Sequence, residues 1–322
     1  MPNYNGVWSL STQYQNATGW PRPASTALFG GGDLGSNTMI DVIESINFNS
    51  QGNAVDFGNL SNIKRSGKSF SSSTRGVFAG GYDYTSSTQT RHNQIEYVTI
   101  STAGNVTDFG DLTEGKYNGT GLSNSTRGII AGGTNDSAKL NVIEYVTIAN
   151  TGNGTDFGDL SAAKQVLGGC ASPTRGIFMG GDAASYINVI EYITIGSTGD
   201  VTDFGNLSAD TAYVASASST TRGLMYGGRR GSSDVNTIEY ITIASTGNAT
   251  DFGDRTVASR THSASSNSVF ACGAGGFISA ASNVIDFVTI ASTGNASDFG
   301  DLTAAKIGIF MGSVCSSHGG IA

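Results

Sequence analysis

Charge is scarce in this chain, and positive charge is the scarcer kind. Lys and Arg total 17 against 25 Asp and Glu, so the formal net charge is -8. A nucleic-acid groove needs a basic footprint that meets phosphates, so that class of partner is excluded. The three cysteines, Cys170, Cys272 and Cys315, are too few and too scattered for a disulfide framework or a zinc site. They read as small buried residues. His92, His262 and His318 lie far apart and in no nucleophile motif. No apolar run approaches membrane-spanning length, and the opening MPNYNGVWSL lacks the charged and apolar regions of a secretion signal. Membrane insertion is therefore not expected. Only four prolines, set among recurring Val, Ile, Tyr and Phe runs, argue against a disordered low-complexity chain. No helical periodicity of any length is present.

What the chain has instead is a period. Ile238 to Asp254 reads IEYITIASTGNATDFGD, and close copies begin at Ile95, Ile143, Ile190 and Ile285, with a more worn one at Ile43. The phenylalanines of the DFG triplets are Phe57, Phe109, Phe157, Phe204, Phe252 and Phe299, spaced by 52, 48, 47, 48 and 47 residues. Six near-equal units point to one closed repeat domain rather than to two unrelated ones.

One unit holds four strand signals. Gln165 to Ser172 is small and weakly apolar (strand a); Thr174 to Gly181 is β-prone and ends in paired glycines (strand b). Asn188 to Ile195 alternates at period two with apolar or β-branched residues on both sides, so both faces are covered (strand c). A short Ser197-Thr198-Gly199-Asp200 hairpin turn leads to Thr202 to Leu207 (strand d). Strands b, c and d occur six times. Strand a occurs five times internally, and a sixth copy, Ile307 to Cys315, stands near the C-terminus. The fold expected is all-β: a six-bladed β-propeller with four antiparallel strands per blade. Its ring closes where the C-terminal strand joins the N-terminal blade, which leaves no unpaired edge there. Residues 25–322 form the propeller, and residues 1–24 are an N-terminal arm outside the count.

The order of a small strand, an apolar strand ending in Gly-Gly, an acidic-aromatic strand and an aromatic-x-x-Leu strand resembles the kelch repeat. Arg260-Thr261-His262 through Val269–Gly273, with Ile285-Asp286-Phe287 and Phe299, carries the likeness, and Phe replaces the usual kelch Trp. The IEYVTIASTGNATDFGDL wording is also similar to kelch-like virion proteins of tailed phages, notably marine ones. That resemblance implies a non-enzymatic virion structural protein, a tail, fibre or decoration component, reaching the virion after synthesis in the host cytoplasm.

The repeated motif residues read as structural. The DFG phenylalanines fill the space between blades. One acid in each c strand (Glu44, Glu96, Glu144, Glu191, Glu239, Asp286) and one opening each DFG are too regular for a singular catalytic pair. They are expected to cap turns or meet the arginines opening strand b (Arg75, Arg127, Arg175, Arg222). Asp-x-x-Asp lacks the ligand-dense loop that calcium favours, so neither metal nor cofactor is expected. Gly30 to Gly35 fits G-x-G-x-x-G, but no helix follows it. DFG also occurs in protein kinases, but no HRD segment accompanies it here.

Function is sought where the units differ. The c–d turns are nearly uniform, while the b–c connections diverge in every blade, and divergent loops on a rigid ring are where specificity resides. Tyr82, Tyr84, Arg91, His92, Arg229, Arg230 and Phe277 are the expected contact set on that face. Trp8, Tyr14 and Trp20 are the expected anchors of a docking arm, packing either on the arm's own ring or on a neighbouring virion protein. The small residues of strand a imply a narrow, water-filled axial channel. The rival readings are a host-glycan adhesin or receptor-binding module using the b–c loops, a glycan-cleaving enzyme, and a cellular kelch adaptor.

Overall fold

The computed structural model describes residues 25–85, 88–310, 312 and 314–321, and all regular structure among them is β. Six small antiparallel sheets form the six blades of a propeller. Blade 1 holds Thr26–Gly30, Val42–Asn47 and Val55–Asn59 as its b, c and d strands. In blade 2 the four strands are Lys68–Ser71, Arg75–Ala79, Gln94–Thr99 and Thr107–Asp111. Blade 3 spans Thr120–Ser123 to Thr155–Asp159, and blade 4 spans Gly168–Ala171 to Thr202–Asn206. Blade 5 runs from Ala215–Ser218 to Thr250–Asp254, and blade 6 from Ser263–Ser266 to Ser297–Lys306.

Blade 1 receives its fourth side from the far end of the chain. Leu28 donates to the Val314 carbonyl at 3.0 Å, Ser316 to Thr26 at 3.2 Å and Phe310 to Gly30 at 3.2 Å. Ala27 and Cys315 form an antiparallel bridge. Ring closure by the C-terminal segment thus matches the expectation from strand counting.

The DFG signature is a bulge that locks one blade to the next. In every blade the c–d register slips by one residue, as where Glu96 faces Asp108 and Ile95 faces Gly110, so Phe109 is left out of the ladder. The bulge turns the ring inward, and Phe109 packs with Ile130, Val146 and Ile148 of blade 3. Six such clusters fill the six blade interfaces. Burial on this scale is worth about 3–5 kcal/mol per phenylalanine. The glycine is needed because the next blade's c–d turn sits directly on it. A Cβ on Gly110, already at φ 148°, would meet the Gly152 carbonyl well inside 3.0 Å. Gly152 donates back to Phe109 O at 2.7 Å, and Asn153 Oδ1 accepts from Asp111 N at 3.0 Å. The uniform STGN turns therefore serve the junctions.

The arginines opening strand b do not meet the acids. Arg75, Arg127, Arg175 and Arg222 stack on Tyr97, Tyr145, Tyr192 and Tyr240 of their own blades at 4.5–4.7 Å. Each also donates to a carbonyl in the next blade, Ile148, Ile195, Ile243 or Ile290, at 2.8–3.0 Å. A cation already satisfied by a π face and a carbonyl has no need of a carboxylate. In blade 6 the same two positions are Phe270 and Phe287, and the stack is wholly aromatic.

The c-strand acids instead take buried cations from the preceding blade. Lys64 reaches Glu96 at 2.7 Å and Lys164 reaches Glu191 at 2.5 Å; Lys116–Glu144 and Lys306–Glu44 complete the set. Burial pulls Lys64 and Lys306 below the usual lysine range against the attraction of their carboxylates. Burial raises Glu144, but Lys116 and the Thr113 hydrogen bonds outweigh it, so its carboxyl titrates below the ordinary value. A Ser or Thr two residues after the DFG motif's own neighbour adds a backbone N–H, as Thr113 to Glu144 at 2.8 Å.

Two junctions lack the lysine. Thr211 stands in its place before Glu239, and Arg230 supplies the charge at 2.5 Å while donating to Thr211 Oγ1 at 3.1 Å. Ser259 stands in its place before Asp286, and Arg255, at the position of the repeated leucine, supplies the charge at 3.2 Å. The strand-b residue before Gly-Gly is Gly30, Ala79, Ala131 or Ala274 where the lysine is present. It is Met179 or Tyr226 where the lysine is missing. At the junction of blades 5 and 6 the large side chain lies beside the substitute cation, the Arg255 guanidinium standing 5.2 Å from the Tyr226 ring.

The axis is closed, contrary to the water-filled channel expected from small residues alone. Ser66, Asn118, Val166, Tyr213, Thr261 and Gly308 stand at equivalent positions with φ between 51° and 62°. Backbone bonds join neighbours around the ring, as Ser66 N to Gly308 O and Val166 N to Asn118 O, both 2.6 Å. They surround a cavity of only about 10 Å³, room for no more than one water. On the opposite face the C-terminal tail crosses the axis. Gly319 donates to Ser218 of blade 5 at 3.2 Å, while His318 Nε2 lies 3.1 Å from Ser71 O of blade 2.

His318 carries a prediction. Gly320 N–H donates to Nδ1 at 3.1 Å, which puts the ring proton on Nε2 facing Ser71 O. Burial lowers its pKa from 6.5 to about 4. The unfolded state therefore binds the extra proton first as pH falls. The stabilisation is fully present above 6.5 and is lost between 6.5 and about 4, on the order of 3 kcal/mol in all. Denaturant titrations at pH 7 and pH 4.5 should show a smaller loss for His318→Gln than for the parent. An equal loss in both would show that His318 does not titrate with folding.

Candidate functional site

The face bearing the b–c connections joins a constant backbone to variable side chains. In each blade the residue after the lysine position bridges the residue after Gly-Gly. The pairs are Arg65/Tyr82, Tyr117/Thr134, Gln165/Asp182, Ala212/Arg229, Arg260/Phe277 and Ile307/Asp33. These twelve positions encircle the closed mouth of the axis. Repeated backbone geometry fixes where each side chain starts, and no two bridges carry the same pair of side chains, which makes the surface singular.

The expected contact residues divide between two sides of this ring. Tyr82, Tyr84, Arg91 and His92 belong to a hairpin of blade 2, Tyr82–Thr85 with Thr88–Arg91. Tyr84 is exposed. Tyr82 is largely buried: its hydroxyl accepts from Arg65 Nε at 2.6 Å, and its ring packs on Tyr117 with centroids 4.5 Å apart. His92 lies 3.1 Å from Asp83 Oδ2. Arg91 reaches across to blade 3, pairing with Asp136 at 3.3 Å and donating to the Asn135 carbonyl.

Arg229, Arg230 and Phe277 sit on blades 5 and 6, across the ring. Here the b–c connection of blade 5 is itself strand, Arg222–Arg230 paired with Ser233–Thr242. Asp234 draws Arg229 (3.7 Å) and Arg260 (2.7 Å) together, and Arg260 stacks over Phe277 at 4.3 Å. Arg230 turns inward to Glu239 and neutralises the buried charge at the junction of blades 4 and 5. Trp8, Tyr14 and Trp20 lie outside the described residues.

Four residues that the sequence did not single out complete a cleft on this face. It has a volume of about 340 Å³, lies between the blade 2 hairpin and the b–c loop of blade 3, and is lined by Arg91, Glu114, Gly115, Asn135 and Ser137. Asn135 Nδ2 donates to Glu114 Oε2 at 2.6 Å, and Asn135 Oδ1 accepts from Ser137 and Ala138 N–H groups at 3.1 and 3.0 Å. Arg91 holds the same loop from the other side. The one available signal was Glu114, the sole glutamate in the six short links between strands d and a.

Tyr117 closes the inner end of this region. Its hydroxyl donates to Asp136 Oδ1 at 2.5 Å, and burial together with that acceptor raises its pKa to about 12. It stays protonated, a hydrogen-bond donor rather than a base. No protein-family model matches the chain, and no curated protein matches it either.

Proposed function

We propose that this propeller is a non-enzymatic structural component of a bacteriophage virion, in its tail, fibre or decoration, working through protein–protein contacts. The observation that carries the reading is the ring of six equivalent backbone bridges, no two of which carry the same pair of side chains. Such a surface is rigid where it must be and individual where it meets a partner. The repeated carboxylates support a non-catalytic role, because each c-strand acid is already neutralised at a blade junction. The phage assignment rests on the likeness of the repeat wording to tailed-phage proteins. In this reading the arm, residues 1–24 with Trp8, Tyr14 and Trp20, docks the ring to a neighbouring virion protein.

Mass spectrometry of purified particles from the phage that encodes the chain tests the assignment. The chain should be present at a fixed ratio to a known capsid or tail protein, and deleting residues 1–24 should remove it from particles while leaving its melting temperature unchanged. Particles lacking the full-length chain would defeat the reading.

A further inference from the structure

We propose that the cleft between blades 2 and 3 binds a neutral saccharide. The proposal rests on the b–c face being a contact surface, and not on where in a virion it stands. The cleft has the volume of a small-ligand site, about 340 Å³. Its lining is a guanidinium, a carboxylate, an amide, a hydroxyl and a glycine, with no aliphatic or aromatic anchor of the kind a peptide side chain would fill.

The charges in it are already matched. Arg91 faces Asp136 at 3.3 Å and the Asn135 carbonyl, so an anionic ligand would have to displace an ion pair. Glu114 Oε2 holds Asn135 Nδ2 at 2.6 Å, which fixes both side chains before any ligand arrives. Among the described residues, Glu114 Oε1 and Ser137 Oγ meet no hydrogen-bond partner. A fixed carboxylate oxygen accepts from hydroxyls, and a nearby hydroxyl both gives and accepts. Vicinal hydroxyls on a pyranose supply that mixture of donors and acceptors at one spacing without bringing a net charge.

The test uses the full chain. A panel of neutral pyranose di- and trisaccharides is titrated by calorimetry and ligand-observed NMR, with sialylated and sulfated counterparts and free amino acids as comparators. At least one neutral member should bind saturably. Glu114→Gln should weaken it by about 10- to 100-fold and Ser137→Ala by a smaller factor, as expected for bonds to a charged and a neutral group. Both variants should melt with the parent, because neither side chain is buried. Binding by none of the neutral sugars, binding confined to the charged comparators or amino acids, or equal affinity in parent and both variants would overturn the proposal. These outcomes leave the particle experiment untouched, and a chain missing from particles leaves the cleft's affinity standing.

Discussion

A chain ending at Lys306 should show no cooperative unfolding transition. The cut retains the Lys306–Glu44 ion pair and removes the segment that closes blade 1 together with the tail that crosses the axis. Ile309, Phe310, Val314 and Cys315 leave with it, each no more than 1% exposed in the intact ring. At about 1.5–3 kcal/mol for each large apolar side chain, the loss of Ile309, Phe310 and Val314 alone costs roughly 5–9 kcal/mol before cavities are counted. A whole domain has only about 5–15 kcal/mol. Two of the six interface clusters also open, because Ile309 and Cys315 belong to the blade 6–blade 1 cluster and Phe310 and Val314 to the blade 1–blade 2 cluster. Circular dichroism melts read the transition. Thiol labelling offers a second view: Cys170 is buried and its pKa is pushed up to about 12, so it should react in the truncated chain and stay silent in the parent. A truncated chain melting within about 3 °C of the parent would show that the ring does not depend on its C-terminal clasp.

The second large effect lies at the junction of blades 5 and 6. Arg255→Leu restores the residue found in the other repeats, yet it should destabilise by about 3–5 kcal/mol, since it leaves Asp286 buried without a cation. The fourfold change Tyr226→Ala, Arg255→Leu, Ser259→Lys and Asp286→Glu rebuilds the arrangement of Ala131, Leu160, Lys164 and Glu191. It should recover most of that loss, to within about 1–2 kcal/mol of the parent, because the lysine again supplies charge and volume together. Chemical denaturation of the parent, the single and the fourfold variant decides it. A neutral single variant, or a fourfold variant no better than the single one, would remove the compensation argument.

Strand order was readable because it depends on local pattern. The alternation of Val189 to Ile195, the paired glycines and the STGN turns each act within a few residues. The inward DFG phenylalanines were also readable, because a large apolar residue recurring once per blade has one plausible place to go. The arginine partners were not. Arg75 and Glu96 are both repeated and near in sequence, and only coordinates show that Tyr97 and a carbonyl of the next blade take the guanidinium. The cleft escaped notice for a related reason: Glu114, Asn135 and Arg91 come from three separate segments and meet only because two blades lie side by side.

Blade number, strand order and the site of closure are written in the linear chain, since a period with one displaced copy of strand a admits one circular arrangement. The partnering of charges, the closed axis and the polar cleft belong to three dimensions. Positions such as Ser66, Asn118, Val166 and Tyr213 share one left-handed backbone conformation without sharing any chemistry. Residues with no common side chain leave no common mark in a sequence, and it is the converging ring of blades that holds them alike.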